Sequence, residues 1–199
     1  CICNYLQSYT KNNEILLKWP NDIVIKGKKL GGMLTEASID FENIRYLIFG
    51  FGLNINSKIT NYPQSIKKIV TSLIEIKKED HRIHELTANI IKIILFSYEE
   101  CCEGINQNKI KLNWNKLDAL KNKEISLSVG KDTIKGTAMG IDHTGGLRIK
   151  FSSGELKTFH SGEVLSFNWW SILRSFNASI LETPELPLGF MKTEQLKRI

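Results

Sequence analysis

The chain has 199 residues, 42% of them hydrophobic and 24% charged, with 27 Lys and Arg against 21 Asp and Glu for a formal net charge of +6. That length holds one sizeable core, or a core plus a small module, and the composition fits a soluble globular protein. The basic balance favours anionic partners, but the lysines are scattered and form no block of the kind a nucleic-acid tail needs. No apolar run approaches the roughly 20 residues that span a bilayer. No signal peptide is visible in a chain that begins at Cys1. Cys1, Cys3, Cys101 and Cys102 show neither zinc-site spacing nor a secreted disulfide framework, so a reducing, cytoplasmic setting is expected.

Taken in order, Ile2, Leu6 and Tyr9 recur at helical spacing and predict a helix that Asn12-Asn13 stops. Residues 15–17 form a short apolar run, read as a buried strand that Pro20 ends. A second strand covers 23–25, Lys26-Gly27-Lys28 turns the chain, and a third strand runs from Leu30 to about Ala37. The continuous apolar run at 46–49 predicts a strand buried on both faces. Residues 56–68 read as a polar loop and 69–76 as a short helix. Ile83, Leu86, Ile90, Ile93 or Ile94, and Ser97 trace one face of a long helix ending near Gly104, with Asp80 as its cap. Residues 110–120 predict one more helix, with Leu112, Trp114 and Leu117 as its apolar contacts.

At about Asn122 the texture changes. Ile125, Leu127 and Val129 alternate with polar residues, and turns recur at Gly130, Gly145-Gly146, Gly154 and Gly162, the pattern of a small antiparallel barrel. The expected organisation is an α+β domain at 1–121 and a small β domain at 122–167. The segment 168–199, opening on Asn168-Trp169-Trp170, is assigned to neither.

The residues able to carry chemistry cluster early. Pro20 fixes the backbone before Asn21, whose amide both donates and accepts and suits the edge of a base. Asp22 offers a carboxylate for a metal ion or for orienting a nucleophile. The same Pro-Asn-Asp run also reads as a plain turn. Lys29 stands just past the hairpin, where it is able to hold a carboxylate or phosphate or simply to belong to a solvated basic hairpin with Lys26 and Lys28. Gly31-Gly32 inside a strand marks close approach of a ligand or backbone. Gly50-Phe51-Gly52-Leu53-Asn54 ends the apolar strand as a flat ligand floor or a bulge. His81, His84 and Asp80 lack a further ligand nearby and make a poor metal site. His143 and His160 fall in or beside turns and read as surface residues.

Taken together, Lys18-Trp19-Pro20-Asn21-Asp22, Lys29-Leu30-Gly31-Gly32-Met33-Leu34 and Gly50-Phe51-Gly52-Leu53-Asn54 resemble, in order and spacing, three strands of the biotin–protein ligases. The run WNKLD at 114–118 resembles the helix leading into that family's SH3-like C-terminal barrel, and GTAMGIDHTGGLRIKF with HSGEV matches the barrel's character. The resemblance covers about residues 1–167. It implies part of a class II synthetase-like mixed sheet with packed helices, followed by an SH3-like barrel. It implies ATP-dependent ligation of biotin, through biotinyl-adenylate, to a lysine of a biotin carboxyl-carrier domain, with Mg²⁺ offsetting triphosphate charge.

By that resemblance Lys29 would lie against the biotin carboxylate and the α-phosphate, and Asp22 would orient the carrier lysine or a magnesium ion. Gly32 and Gly50 would give biotin backbone access. Asn21, Gly52 and Asn54 would face the nucleotide, and Trp19 would pack near the adenine or fill the core. The family's Gly/Arg-rich loop has no counterpart in residues 1–17, so the chain resembles the C-terminal part of a ligase. No DNA-binding domain is seen, and a homodimer is allowed. The alternatives are a non-catalytic fragment that binds only carrier or adenylate, and a lipoate-type ligase, which the KWPND run fits poorly.

Overall fold

A computed structural model describes residues 1–40, 43–104 and 107–165; the unassigned segment 168–199 lies outside them. The chain opens on α1 (Ile2–Thr10), whose Ile2, Cys3, Leu6 and Thr10 form the buried stripe expected of a 3.6-residue period. It ends where Lys11 turns left-handed (φ 53°) and the Asn12 N–H reaches back to the Gln7 carbonyl at 3.0 Å.

Four strands follow as a meander in the order β1 (Ile15–Lys18), β2 (Asp22–Ile25), β3 (Lys28–Asp40), β4 (Asn43–Leu53). Lys18 pairs with Asp22 across the first turn, which carries a cis Trp19–Pro20 peptide. Lys26 and Gly27 both take positive φ, 50° and 75°, which is the backbone of the two-residue turn that suits strand twist. One face of this sheet is covered by α1, α2 (Leu73–Lys77) and α3 (Ile83–Cys102). Leu6, Ile15, Ile23, Leu30, Leu73 and Leu86 meet there with almost no exposure. Burying each such side chain contributes about 1.5–3 kcal/mol.

Several sequence expectations are corrected here. Among the described residues the sheet is antiparallel throughout its four strands, not mixed; the parallel contacts there are two isolated bridges, Leu17 with Asp118 and Lys29 with Val70. The run at 46–49 is not buried on both faces. Tyr46, Leu47, Ile48 and Phe49 are 39–57% exposed, because the helices cover the other end of β4, where Phe51 and Leu53 pack. Residues 69–71 are not helical. The Lys29 N–H donates to the Ile69 carbonyl at 2.8 Å and the Lys29 carbonyl accepts from Thr71 N–H at 2.9 Å, which draws this stretch alongside β3. The residue that caps α3 is Arg82, not Asp80, and Ile83 is half exposed.

Beyond α4 (Gln107–Leu117) a second antiparallel sheet forms from β5 (Glu124–Val129), β6 (Asp132–Ile141), β7 (Leu147–Lys150), β8 (Leu156–Phe159) and β9 (Glu163–Val164), in the order β8-β7-β6-β5-β9. Among the described residues no pairing joins β8 to β9, so hydrogen bonds do not close it into the expected barrel. Alternate residues Ile125 and Leu127, then Leu147 and Ile149, enter a second core. Trp114 packs against it, while Leu112 on the same helix is 61% exposed. Gly136 lets strands meet: a Cβ there would stand 2.5 Å from Ile149 Cγ2. The modules are stitched where Ala119 N–H donates to the Leu17 carbonyl at 2.8 Å.

Candidate active site

A cavity of about 220 Å³ opens at the seam between the two sheets, lined by Lys18, Trp19, Pro20, Asn21, Asp22, Lys29, Gly162, Glu163 and Val164. Within this lining Lys29 Nζ meets Asp22 Oδ1 at 2.6 Å. A strand irregularity produces this pairing. Ile23 pairs with Gly31 and Val24 with Lys29, so Leu30 is an extra residue on β3. Lys29 and Gly32 are three apart and would alternate to opposite faces of a regular strand. The bulge puts them on the same face as Asp22, which pairs with Gly32. Leu30 itself turns into the core, fully buried.

Gly32 then has a steric reason. A Cβ there would stand 3.2 Å from Asp22 Oδ1 and 3.4 Å from Lys29 Nζ. Lys29 keeps 44% of its side chain exposed and Asp22 22%, so the pair is open to an incoming anion. The backbone of Lys29 is held between β2 and residues 69–71, which fixes where its ammonium starts.

The neighbouring charges belong to both modules. Desolvation lowers the Lys18 pKa, against the pull of Asp22 and Glu163. Desolvation likewise raises the Glu163 carboxyl, opposed chiefly by Lys18. Trp19 is 4% exposed and belongs to the second core, and its Nε1–H donates to the Gly145 carbonyl at 3.0 Å. That carbonyl is presented by a tight turn. Asp142 Oδ1 accepts from Thr144 N–H at 2.9 Å, Thr144 Oγ1–H at 2.7 Å and Gly146 N–H at 3.0 Å.

Lys18, Trp19, Asn21, Asp22, Lys29 and Gly32 are therefore brought together, and the remaining residues singled out from the sequence stand further along the sheet. Asn21 lines the cavity and donates its side-chain amide to the Met33 carbonyl. Gly52 pairs with Gly32, and a Cβ on it would meet nothing within 4 Å. Gly50 pairs with Leu34 beyond. Asn54 does not line the cavity; its side chain donates to the Thr71 carbonyl at 3.0 Å and its backbone ties β4 to Leu30 and Leu73. His81 is buried, with Nδ1 2.9 Å from the Tyr9 hydroxyl, and among the described residues no group of three or more His, Cys, Asp or Glu gathers as a metal site. His143 and His160 are exposed, as expected. Gly162, read from the sequence only as a turn, and Glu163 were not singled out as site residues, whereas the close approach expected at Gly31 is present. Glu163 sits in the HSGEV run, whose only legible signal was a turn. A Cβ on Gly31 would stand 2.5 Å from the Gly52 carbonyl oxygen.

Comparison with known proteins agrees with both halves. The profile of the Biotin/lipoate A/B protein ligase family matches residues 2–54, and that of the Biotin protein ligase C terminal domain matches residues 122–165. The bifunctional ligase/repressor BirA of Bacillus subtilis is 32% identical over 151 residues, covering 74% of this chain and 45% of that protein. The Escherichia coli protein of the same description is 23% identical over 158 residues, covering 76% of this chain and 46% of that one. The chain thus spans about half the length of the curated relatives it matches. Among solved structures, the apo biotin protein ligase of Aquifex aeolicus superposes with a TM-score of 0.70 at 29% identity, covering 82% of this chain and 69% of that one. The same enzyme in complex with biotin and ATP superposes with a TM-score of 0.69 at 27% identity, covering 82% of this chain and 66% of that one. No helix among the described residues is long and apolar enough to cross a membrane. With a ligase-family match at its start, the ligase C-terminal domain at its end and one seam site between them, the chain belongs to the biotin protein ligase family.

Proposed function

We propose that this chain carries the reacting centre of an ATP-dependent ligase that joins biotin to a lysine of a biotin carboxyl-carrier domain through biotinyl-adenylate. The observation that carries the reading is the Lys29–Asp22 pair at 2.6 Å, partly open to solvent in the lining of a seam cavity. Attack of a carboxylate on the α-phosphate concentrates negative charge on the phosphate oxygens. Lys29 is the ammonium positioned to take that charge, and it releases Asp22 as it does so. The freed Asp22 carboxylate then faces the same cavity and can orient the ammonium of an acceptor lysine and take up its proton, as the amine attacks the acyl carbon and AMP leaves to give the amide. Gly32 keeps the space for both. Asn21 and Gly52 lie on the side read as nucleotide-facing, while Gly50 extends the open floor along β4 for biotin. Trp19 contributes by position, from within the second core, and Asn54 by bracing the end of β4.

The described residues offer Mg²⁺ no cage of their own, since no carboxylate cluster gathers among them and Asp22 is held by Lys29. Magnesium would arrive on the triphosphate and would supply charge neutralisation; Asp22 would be its protein ligand only as the alternative to orienting the acceptor lysine, once Lys29 has turned to the anion. The division into 1–121 and 122–167 and an SH3-like character for the second module are part of this reading, as are a cytoplasmic setting and four free thiols. The test is biotin-dependent release of pyrophosphate from ATP by the full chain, followed by transfer to a carrier domain. Release that requires biotin and vanishes in Lys29→Ala supports the reading. Release that is indifferent to biotin or to Lys29 refutes it. Binding of lipoate in place of biotin would favour the lipoate-type alternative.

A further inference from the structure

The backbone of Lys29 is tied into a closed circuit of hydrogen bonds. Its N–H donates to the Ile69 carbonyl at 2.8 Å, and its carbonyl accepts from Thr71 N–H at 2.9 Å. The next residue, Leu30, is the extra residue of the bulge, and its carbonyl accepts from Asn54 N–H at 2.9 Å. The side-chain amide of Asn54 donates to the Thr71 carbonyl at 3.0 Å. The circuit thus runs from Lys29 along the chain to Leu30, across to the Asn54 backbone, out through the Asn54 side chain to Thr71, and back to Lys29. Asn54 is itself anchored, because its carbonyl accepts from the N–H of Leu73, the first residue of α2, at 2.9 Å. Leu30 is fully buried and Thr71 is 7% exposed, so water does not readily replace a bond lost from this circuit. Asn54 does not line the cavity.

We propose that Asn54 is a positioning residue for Lys29, closing the circuit that sets the Lys29 ammonium beside Asp22. The consequence for catalysis rests on the ligase reading above. Lys29 stands directly before the bulge, where the regular ladder between β2 and β3 is interrupted. Residues 69–71 hold its peptide groups in place of that ladder, and the Asn54 amide holds residues 69–71 to the bulge. The residue type follows from the chemistry. The Thr71 carbonyl needs a donor, which an Asn side chain supplies and an Asp carboxylate does not. A nucleotide contact and a positioning role also differ in their kinetics: loss of the first raises the KM for ATP, and loss of the second lowers kcat.

The test reads amide hydrogen exchange by NMR on the ligand-free full chain, then pyrophosphate release. Asn54→Ala should speed exchange at the Lys29 and Thr71 amides by about tenfold while the amides of β5 and β6 keep the parent's protection. Asn54→Asp keeps the shape but cannot donate at neutral pH; it should do the same, and it stands in if the alanine variant does not fold. Glu75→Ala releases a different bond of the same loop, from Ile59 N–H at 2.9 Å, and should leave Lys29 protected. Equal loss at all amides, no loss at Lys29, or the same loss from Glu75→Ala overturns the circuit. In the pyrophosphate assay Asn54→Ala should lower kcat by about tenfold and hold the KM for ATP within about twofold. A raised KM with kcat kept would make Asn54 a nucleotide contact and overturn the positioning role. Exchange that depends on Asn54 in a parent chain that releases no pyrophosphate leaves the circuit and removes the ligase reading. Release that requires biotin and Lys29, with exchange indifferent to Asn54, does the reverse.

Discussion

Replacing Trp19 distinguishes the two roles that the sequence left open for it. The indole is 4% exposed among Leu120, Ile125, Leu127 and Leu147, and its N–H is bonded to Gly145 at 3.0 Å. Trp19→Ala removes that side chain from a packed core, which destabilises by about 3–5 kcal/mol. With a urea slope of about 2 kcal/mol per M, the unfolding midpoint should fall by about 2 M. Trp19→Phe keeps most of the packing and loses the hydrogen bond. Gly145 is exposed, so its carbonyl regains water, and the loss should be nearer 1 kcal/mol, or about 0.5 M. The assay is urea unfolding followed by far-UV circular dichroism, with ATP affinity measured on the folded variants. A Trp19→Ala chain with an unmoved midpoint and only weakened ATP binding would refute the placement, because that is the behaviour of a residue stacked on a ligand.

Gly32→Ala should lower affinity for an anionic ligand at Lys29 while leaving most of the stability, since the new methyl crowds Asp22 and the flexible Lys29 tip; Gly52→Ala, with open space around it, should melt as the parent does, and calorimetry and thermal scans check both. The Asp142 carboxyl is held below its ordinary value, chiefly by the Thr144 hydroxyl and then by the Thr144 and Gly146 amides. A depressed folded-state pKa means that this stabilisation is fully present above the unfolded value of about 3.9 and is lost as pH falls through the folded one. Asp142→Ala should therefore lower the melting temperature at pH 7 and flatten its decline below about pH 4, and it should loosen the Trp19 indole N–H by the same change; an unaltered acid limb contradicts the turn's role.

How much of this was legible in the sequence follows from the range of the interactions involved. Local patterns were readable: the α1 stripe of Ile2, Leu6 and Tyr9, the Lys26-Gly27 turn and the alternation at Ile125 and Leu127 all depend on residues a few positions apart. The order of the three motifs also pointed correctly to the family. The bulge at Leu30 was not readable, yet it decides that Lys29 and Gly32 share a face, because an extra residue in a pairing exists only relative to the partner strand. Residues 69–71 carried an apolar helical pattern, and tertiary hydrogen bonds to Lys29 overrode it. The apolar run at Tyr46-Leu47-Ile48-Phe49 gave composition without location, so burial on both faces was inferred where the described structure leaves both open. Glu163 joins the site from more than 130 residues away, and nothing in Ser161-Gly162-Glu163-Val164 distinguishes it from an ordinary strand start.

The most direct test of the central claim is the affinity of the full chain for a non-hydrolysable biotinyl-adenylate analogue, compared between the parent and Lys29→Ala. A hydrogen bond from a half-exposed ammonium to a charged group contributes about 1.5–3 kcal/mol. The variant should therefore bind at least about tenfold more weakly while melting at nearly the same temperature. Equal affinity in the two chains would mean that Lys29 does not face the reacting anion, and the seam cavity would not be the site of ligation.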